Sequence, residues 1–287
     1  MKKIAIIGAG NVGTAAAKSV LESQDMELCG FVRRSLEPVP DFENIPIAQS
    51  IFELLEKPDG AIIAVPSRLV EPIEKELLES GIYTVDCFDI HEELSSMRKR
   101  LKVSAEKGKV SCVIGAGWDP GLDSAIRALM FSAFPEGKIY TNFGPGMSMG
   151  HSAAAKSKSG VLDAVSITVP LGKGKHGRKI YAVIKENADK QAVEHAILSD
   201  GYFEHDESSV EFVKDLSPFS DTKHSVFIEN IFENQKMEFK MKIDNPTLTG
   251  NVLVSAMRAV FLQKSGAYFL TEIPPCSLFY ENRENLI

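Results

Sequence analysis

Two carboxylates stand just past buried apolar runs, where the ends of parallel strands present side chains to a ligand. Asp89 follows the run 82–86, and Asp119 follows the run 110–115 with Trp118 beside it in Gly-Trp-Asp-Pro-Gly (117–121). Carboxylates so placed can hold an ammonium group and move a proton. Each also has a plainer use, Asp119 as a turn former and Asp89 as a cap for the helix that follows. A second set of residues binds rather than reacts. Gly8, Gly10 and Gly13 hold the three glycine positions of a dinucleotide fingerprint. Gly8 permits the tight turn out of a strand, Gly10 lets backbone approach a pyrophosphate, and Gly13 lets the helix opening at Asn11 and Val12 pack against the sheet. Arg33, Arg34 and Ser35 stand where an acidic residue would hold the ribose 2′-hydroxyl of NAD. Guanidinium forks suit a 2′-phosphate, so the expected cofactor is NADP. His151 and His224 have no partner visible in the sequence.

Positioning these residues requires a particular order of elements. Apolar runs at 4–7, 26–32, 60–65, 82–86 and 110–115 read as buried strands, and 45–48 reads as an edge strand weakened by Pro46. Helices are expected over 12–21, from Ser50 to before Pro58, over 69–80 and over 92–107. Strands alternating with helices predict an α/β fold, a Rossmann-type doubly wound parallel sheet. The loop Val65, Pro66, Ser67 should pass the cofactor, and Asp86, Cys87, Phe88 and Gly117 complete its expected lining. Beyond residue 118 the pattern changes. A helix is expected over 122–134, a strand over 138–143, a second glycine-rich loop over 144–151, strands at 161–170, 179–184, 210–213, 225–228 and 236–243, and a helix at 190–198. Strands in succession predict an α+β domain on a mixed sheet. A helix over 247–263, opened by Asn245-Pro246, and a strand over 267–273 should return to the first domain. The expected organisation is a dinucleotide-binding domain at 1–118, a substrate-binding and dimerisation domain at 119–244, and a returning segment at 245–287.

Composition narrows the function classes. A net charge of -7 on 287 residues argues against a sequence-independent grip on nucleic acid. No apolar stretch approaches a membrane span, and the first residues enter a strand at once, so no signal peptide is visible. Cys29, Cys87, Cys112 and Cys276 lie far apart without metal-ligand spacing and read as reduced, buried thiols of a cytoplasmic protein; no metal is expected.

Six blocks, taken in order, resemble the meso-diaminopimelate D-dehydrogenase family across nearly the whole chain. They are Gly-Ala-Gly-Asn-Val-Gly (8–13), Val-Arg-Arg-Ser (32–35), Thr-Val-Asp-Cys-Phe-Asp-Ile-His (84–91), Gly-Trp-Asp-Pro-Gly (117–121), Asn-Phe-Gly-Pro-Gly-Met-Ser-Met-Gly-His-Ser (142–152) and Ile-Asp-Asn-Pro (243–246). The resemblance implies NADP-dependent oxidative deamination at the D-centre of meso-diaminopimelate, giving L-2-amino-6-oxopimelate and ammonia, by a homodimer. It implies that Asp89, Asp119, Trp118 and Phe143 surround the substrate in a cleft between the domains. Thr168, Arg178, His224 and Asn245 would bind it from the second domain. Sequence does not choose between Asp89 and Asp119 as the group assisting proton removal. Where some members carry a tryptophan, a glutamine and an aspartate, this chain has Phe143, Met149 and Ala153, and it lacks much of an insert that longer members carry before Arg178. Looser recognition of the distal centre is therefore expected. The alternatives are a related D-amino acid or diamino acid dehydrogenase with another substrate, and a non-catalytic NADP-binding sensor.

Overall fold

The computed structural model describes residues 1–221 and 223–280. The chain opens with β1 (Lys2–Ile7), α1 (Asn11–Leu21), β2 (Met26–Val32), β3 (Ile47–Ala48), β4 (Gly60–Ile63), α2 (Val70–Glu79), β5 (Tyr83–Asp86), α3 (His91–Gly108), β6 (Ser111–Ile114) and α4 (Leu122–Ala133). It continues with β7 (Lys138–Ser148), α5 (Met149–Lys156), β8 (Val161–Gly172), β9 (Lys175–Ile184), α6 (Lys190–Leu198), β10 (Glu207–Phe212), β11 (Lys223–Phe232) and β12 (Gln235–Asp244). It ends with α7 (Asn245–Val260) and β13 (Gly266–Phe269). The chain forms two units, one of residues 1–126 with 246–287 and the other of residues 127–245.

The first unit is a parallel sheet in the order β13-β6-β5-β4-β1-β2-β3. The order turns back at β1, the switch point at which open α/β sheets bind ligands. Its strands are apolar on both faces because helices cover both. On one face Ala16, Ala17 and Val20 of α1 and Leu253, Ala256, Met257 and Val260 of α7 pack over Ile4 and Ile6. On the other, Leu77 and Leu78 of α2 and Met97 and Leu101 of α3 pack over Ala5, Ile7 and Ile63. The α1–α7 contact is close: a Cβ on Gly250 would lie 2.6 Å from the amide nitrogen of Ala16. A bidentate ion pair adds to it, Arg258 Nε to Asp25 Oδ2 at 2.5 Å and Nη2 to Oδ1 at 2.9 Å, while Nη1 donates to the Leu278 carbonyl at 3.1 Å.

The second unit is a six-stranded mixed sheet in the order β10-β9-β8-β7-β11-β12, parallel only between β10 and β9. Ala155 of α5 and Val193 and Ile197 of α6 pack with Phe203 against Ala164, Ile180 and Ala182 of the sheet. The fold class expected from sequence is therefore observed.

Several local expectations are corrected. The expected glycine-rich loop over 144–151 is the end of β7 followed by the start of α5. Its glycines serve strand packing: a Cβ on Gly144, at φ +100, would meet the Thr168 carbonyl oxygen at 2.6 Å, and one on Gly146 would meet the His224 Cα at 2.5 Å. The helix expected from Ser50 is only the 3-10 turn Ile51–Glu53. A capping box does form, with Ser50 Oγ accepting from the Phe52 amide at 3.3 Å and Glu53 Oε2 accepting from the Ser50 amide at 3.2 Å. Leu54 then turns extended to fill the space beside Gly30, and Pro58 leaves too short a run for a helix to propagate. The strand expected over 267–273 stops at Phe269 and gives way to the turn Leu270–Glu272. Cys29 and Cys112 are buried and Cys87 half-buried, but Cys276 is exposed, because it lies on the short turn Pro275–Leu278 outside the sheet. Among the described residues no helix is long and apolar enough to cross a membrane.

Candidate active site

In the first unit the fingerprint glycines divide their work by contact. At Gly8, φ +95, a Cβ would lie 2.3 Å from the Ala64 carbonyl oxygen, so only glycine makes this turn. A Cβ on Gly13 would lie 2.0 Å from the Gly8 carbonyl oxygen, so only glycine lets α1 seat on the turn. Gly10 is different, because nothing of the protein lies within 4 Å of the Cβ it lacks. The protein's own packing does not require that glycine, and its bare backbone is open to a group approaching the N-terminal end of α1. A dinucleotide pyrophosphate fits this cradle.

At the end of β2, Arg33 is half-buried and Arg34 exposed. Among the described residues neither has a carboxylate partner. Ser35 Oγ accepts from the Glu37 amide at 3.2 Å, which closes the turn carrying the arginines. At the end of β4, Val65 is half-buried, Pro66 exposed, and Ser67 buried at the start of the turn Ser67–Leu69.

The two candidate carboxylates leave neighbouring strands, β5 and β6. Ser67 Oγ donates to Asp89 Oδ1 at 2.6 Å and accepts from the Asp89 amide at 3.3 Å, so the loops after β4 and β5 are tied to each other. The helix α3 begins with Ile90 as its N-cap and carries no side-chain cap. Asp119 follows Trp118, which is buried, and precedes Pro120 across a cis peptide bond. The turn is closed by the amides of Leu122 and Asp123 donating to the carbonyls of Gly117 (3.1 Å) and Trp118 (2.9 Å). His91 Nε2 lies 3.8 Å from Asp119 Oδ1. Sequence reasoning passed over this histidine and the fully buried Asp123.

The residues expected to line the cofactor after β5 differ in where their side chains go. Asp86 and Phe88 turn their side chains into the core, and Cys87 is half-buried. Asp86 Oδ1 accepts from the amides of Phe88 (2.7 Å) and Gly115 (3.0 Å), so its carboxylate holds strand ends and is not presented to a ligand. Gly117 is buried in the turn, where a Cβ would meet the Pro120 carbonyl oxygen at 3.4 Å and the side chains of Thr249 and Cys87 at 3.5 and 3.7 Å.

In the second unit a polar group assembles on β7, β8, β9 and β11. Arg178 lies within β9, rather than between a flexible run and a strand, and its side chain is only 10% exposed. It donates from Nε to Asp206 Oδ2 at 2.7 Å, from Nη1 to Thr168 Oγ1, and from Nη2 to His176 Nε2 at 3.1 Å. Accepting from a guanidinium places the His176 proton on Nδ1. Phe143 packs edge-on to His176 at 5.6 Å. His224 is buried, and its Nδ1 donates to the Ser225 carbonyl at 3.0 Å, leaving Nε2 as an acceptor. Of the other expected residues, Met149 is the half-buried first residue of α5 and Asn245 the buried first residue of α7. Asp206 and His176 were not anticipated.

Charge in this group is nearly balanced. Burial, reinforced by the Arg178 charge, pushes His151 down to about 3. Burial pushes His224 down to about 4, and burial with Arg178 lowers His176. The histidines are therefore neutral, and Arg178 faces Asp206. A histidine with a depressed folded pKa binds fewer protons folded than unfolded. Its contribution is present above the unfolded value of about 6.5 and lost as pH falls toward the folded one. Moving from pH 7.5 to pH 5 should therefore cost about 1–2 kcal/mol for each of His151 and His224. Urea unfolding at both pH values checks this, and His224→Asn should show a smaller acid loss than the parent; an equal loss would refute it.

The comparisons with known proteins bear on the fold and the family. Residues 2–87 match the model of an oxidoreductase family with an NAD-binding Rossmann fold, and residues 117–174 match the diaminopimelic acid dehydrogenase C-terminal domain. The chain is 40% identical to the meso-diaminopimelate D-dehydrogenase of Bacteroides fragilis, over 100% of this chain and 99% of that one. The chain belongs to the meso-diaminopimelate D-dehydrogenase family. The member from Acetivibrio thermocellus is 31% identical over 99% of this chain and 96% of its own. The solved structure of C. glutamicum diaminopimelate dehydrogenase in complex with diaminopimelate superposes with a TM-score of 0.88 at 25% identity, covering 99% of this chain and 98% of that one. The first unit is thus a Rossmann-type NAD(P)-binding domain.

Proposed function

We propose that the protein is an NADP-dependent meso-diaminopimelate D-dehydrogenase, oxidatively deaminating the D-centre of its substrate to L-2-amino-6-oxopimelate and ammonia. The observation that carries this reading is full-length similarity to relatives named for that activity. When bound, NADP supplies the hydride acceptor. Gly8, Gly10 and Gly13 with Asn11 and Val12 would hold its pyrophosphate, and the loop 65–67 would flank it. Asp89 and Asp119 would hold the reacting ammonium group and receive its proton as Cα gives up hydride, and one water would then add to the resulting imine and release ammonia, with Trp118 beside the reacting centre. Thr168, Arg178, His224 and Asn245 would hold the remote end, and Phe143 and Met149 would fill the space beside it.

Arg33 and Arg34 support NADP over NAD, being guanidinium groups without a carboxylate partner among the described residues. Each charge-assisted contact to a 2′-phosphate is worth about 1.5–3 kcal/mol. Replacing both with alanine should weaken NADP binding by about 100-fold or more and leave NAD binding within about threefold, because only NADP carries that phosphate. Titration with both cofactors measures it; equal losses would remove the assignment.

A second reading, a dehydrogenase for a simpler D-amino acid, draws support from Arg178, whose charge is already engaged by Asp206. Steady-state oxidation of meso-, D- and L-amino acids with NADP, followed by reduced-cofactor absorbance, separates the readings. Meso-diaminopimelate should give the highest kcat/KM. A faster D-amino acid would favour the second reading, and binding without turnover would mean a sensor. A cytoplasmic homodimer belongs to the same proposal, and a monomer in sedimentation equilibrium would remove that part.

A further inference from the structure

Glu74 lies on the apolar stripe of α2 that also carries Val70, Leu77 and Leu78, and it is fully buried. Asp86, at the end of β5, is fully buried as well. One Glu74 oxygen, Oε1, accepts from Thr84 Oγ1 at 2.6 Å. One Asp86 oxygen, Oδ1, accepts from the amides of Phe88 and Gly115. The remaining oxygens, Glu74 Oε2 and Asp86 Oδ2, are buried with no donor from the protein. Thr84 and Asp86 stand two residues apart on β5 and so share a face, which brings the Glu74 carboxyl held by Thr84 to the side of the strand that carries Asp86. Two buried acceptors can satisfy each other only if one carries a proton, and two buried charges side by side would carry a large desolvation cost.

The place of this pair matters. Phe88 directly precedes Asp89, and Gly115 opens the turn that carries Trp118 and Asp119. A single carboxylate oxygen thus ties together the backbone from which both candidate catalytic carboxylates project. We propose that Glu74 and Asp86 hold one proton between them and act as positioning residues, the pair fixing the ends of β5 and β6 from which Asp89 and Asp119 extend. The positioning role rests on the function proposed above; the shared proton does not.

Burial first, and the Asp86 charge second, push Glu74 well above the usual carboxylate range. Burial pushes Asp86 up to about 6 against the pull of its two amide donors. Other ionisable groups near the pair are Glu71 on α2, Cys87 and Asp89 after β5, Cys112 on β6, and Arg98 on α3. Cys87 is pushed up to about 12 and Cys112 well above its ordinary value, so neither titrates near neutrality. Glu71 is held low by Arg100, which bonds it at 2.5 and 2.7 Å.

The sign of the pH effect follows. Raised folded values mean that the folded pair binds more protons than the unfolded one. Its contribution is complete below the unfolded carboxylate values and lost as pH rises through the folded ones. For one extra bound proton, the unfolding equilibrium constant rises about tenfold per pH unit.

The test uses the full chain with NADP. Unfolding constants of the parent should rise more steeply between pH 6.5 and 9 than those of Glu74→Gln, whose amide donates to Asp86 at every pH, the difference approaching about tenfold per unit. Parallel slopes would overturn the shared proton. Glu74→Leu, which leaves Asp86 Oδ2 without a donor, should lose about tenfold in kcat while NADP affinity changes by less than about threefold, and Glu74→Gln should recover most of that loss. Parental kcat in Glu74→Leu, or failure of Glu74→Gln to recover turnover, would overturn the positioning role. If Glu74→Leu does not fold, the Glu74→Gln slope still decides the shared proton, and kcat against pH decides positioning: the parent's kcat should fall as pH rises and the pair loses its proton, so absence of that fall in Glu74→Gln supports the role, and a parent without the fall or a variant that keeps it rejects the role. Should Asp89 and Asp119 prove dispensable, the function proposed above fails while the slope comparison stands.

Discussion

Asp119→Asn should reduce kcat by about 10²-fold or more while leaving NADP affinity near that of the parent. The substitution keeps shape and removes charge, so the backbone bonds that close the turn 117–123 remain. Those bonds come from the amides of Leu122 and Asp123 and do not involve the Asp119 side chain. What disappears is the acceptor for a proton and the anion opposite an ammonium group. Stopped-flow reduction of NADP with saturating substrate measures the chemical step directly. An unchanged rate would mean that Asp119 shapes the turn and nothing more. The same substitution at Asp89 separates the two carboxylates. Asp89 is already held by Ser67 at 2.6 Å, which favours a binding and orienting part for it over proton transfer. Asp89→Asn should accordingly raise KM more than it lowers kcat. If the two variants exchange these signatures, the roles are reversed.

Arg178→Met should change the ratio of kcat/KM for meso-diaminopimelate and D-leucine by about 30-fold to 1000-fold in favour of D-leucine, the equivalent of about 2–4 kcal/mol for a lost charge-assisted contact. The remote carboxylate of a diamino diacid calls for a planar, bidentate cation, and simple D-amino acids have no such group. Arg178 is rigidly presented, because Asp206, Thr168 and His176 each engage a different guanidinium nitrogen. Removing it also strips Asp206 of its Nε partner, which by itself destabilises the second unit. The double variant Arg178→Met with Asp206→Asn separates the effects: it should recover thermal stability and keep the altered ratio. A ratio equal to the parent's in both variants would show that Arg178 does not read the remote carboxylate.

The legible parts of the chain were those whose signal is local. The parallel sheet could be read because buried strands are continuous apolar runs, and Gly8 and Gly10 sit in the short stretch between a strand and a helix, with Gly13 in that helix's first turn. The turn after β6 could be found for the same reason. Misreadings arose where long-range packing set the local backbone. Gly144 and Gly146 looked like a loop, yet the neighbours that need their small size are Thr168 and His224, far along the chain. Arg178 seemed to follow a flexible segment because glycines surround it, whereas the hairpin between β8 and β9 uses them within and beside the strands. Asp206 could not be anticipated, since nothing in its surroundings points to an arginine 28 residues earlier. Glu74 did carry a signal, an acid on an apolar helical stripe, but its partner is a strand residue that sequence reasoning assigned to the cofactor.

The first unit is built from two separated stretches of chain, and this bears on the order in which the protein can be made. During synthesis the strands β1 to β6 emerge first and can pair at once, but the sheet face over Ile4 and Ile6 waits for α7, and the β6 edge waits for β13. The whole second unit is translated in between. A ribosome therefore carries a half-covered parallel sheet while about 120 further residues emerge, the interval in which exposed apolar surface and an open strand edge invite chaperones or aggregation. The Arg258–Asp25 clasp closes that interval, joining a residue of the last helix to the turn before β2.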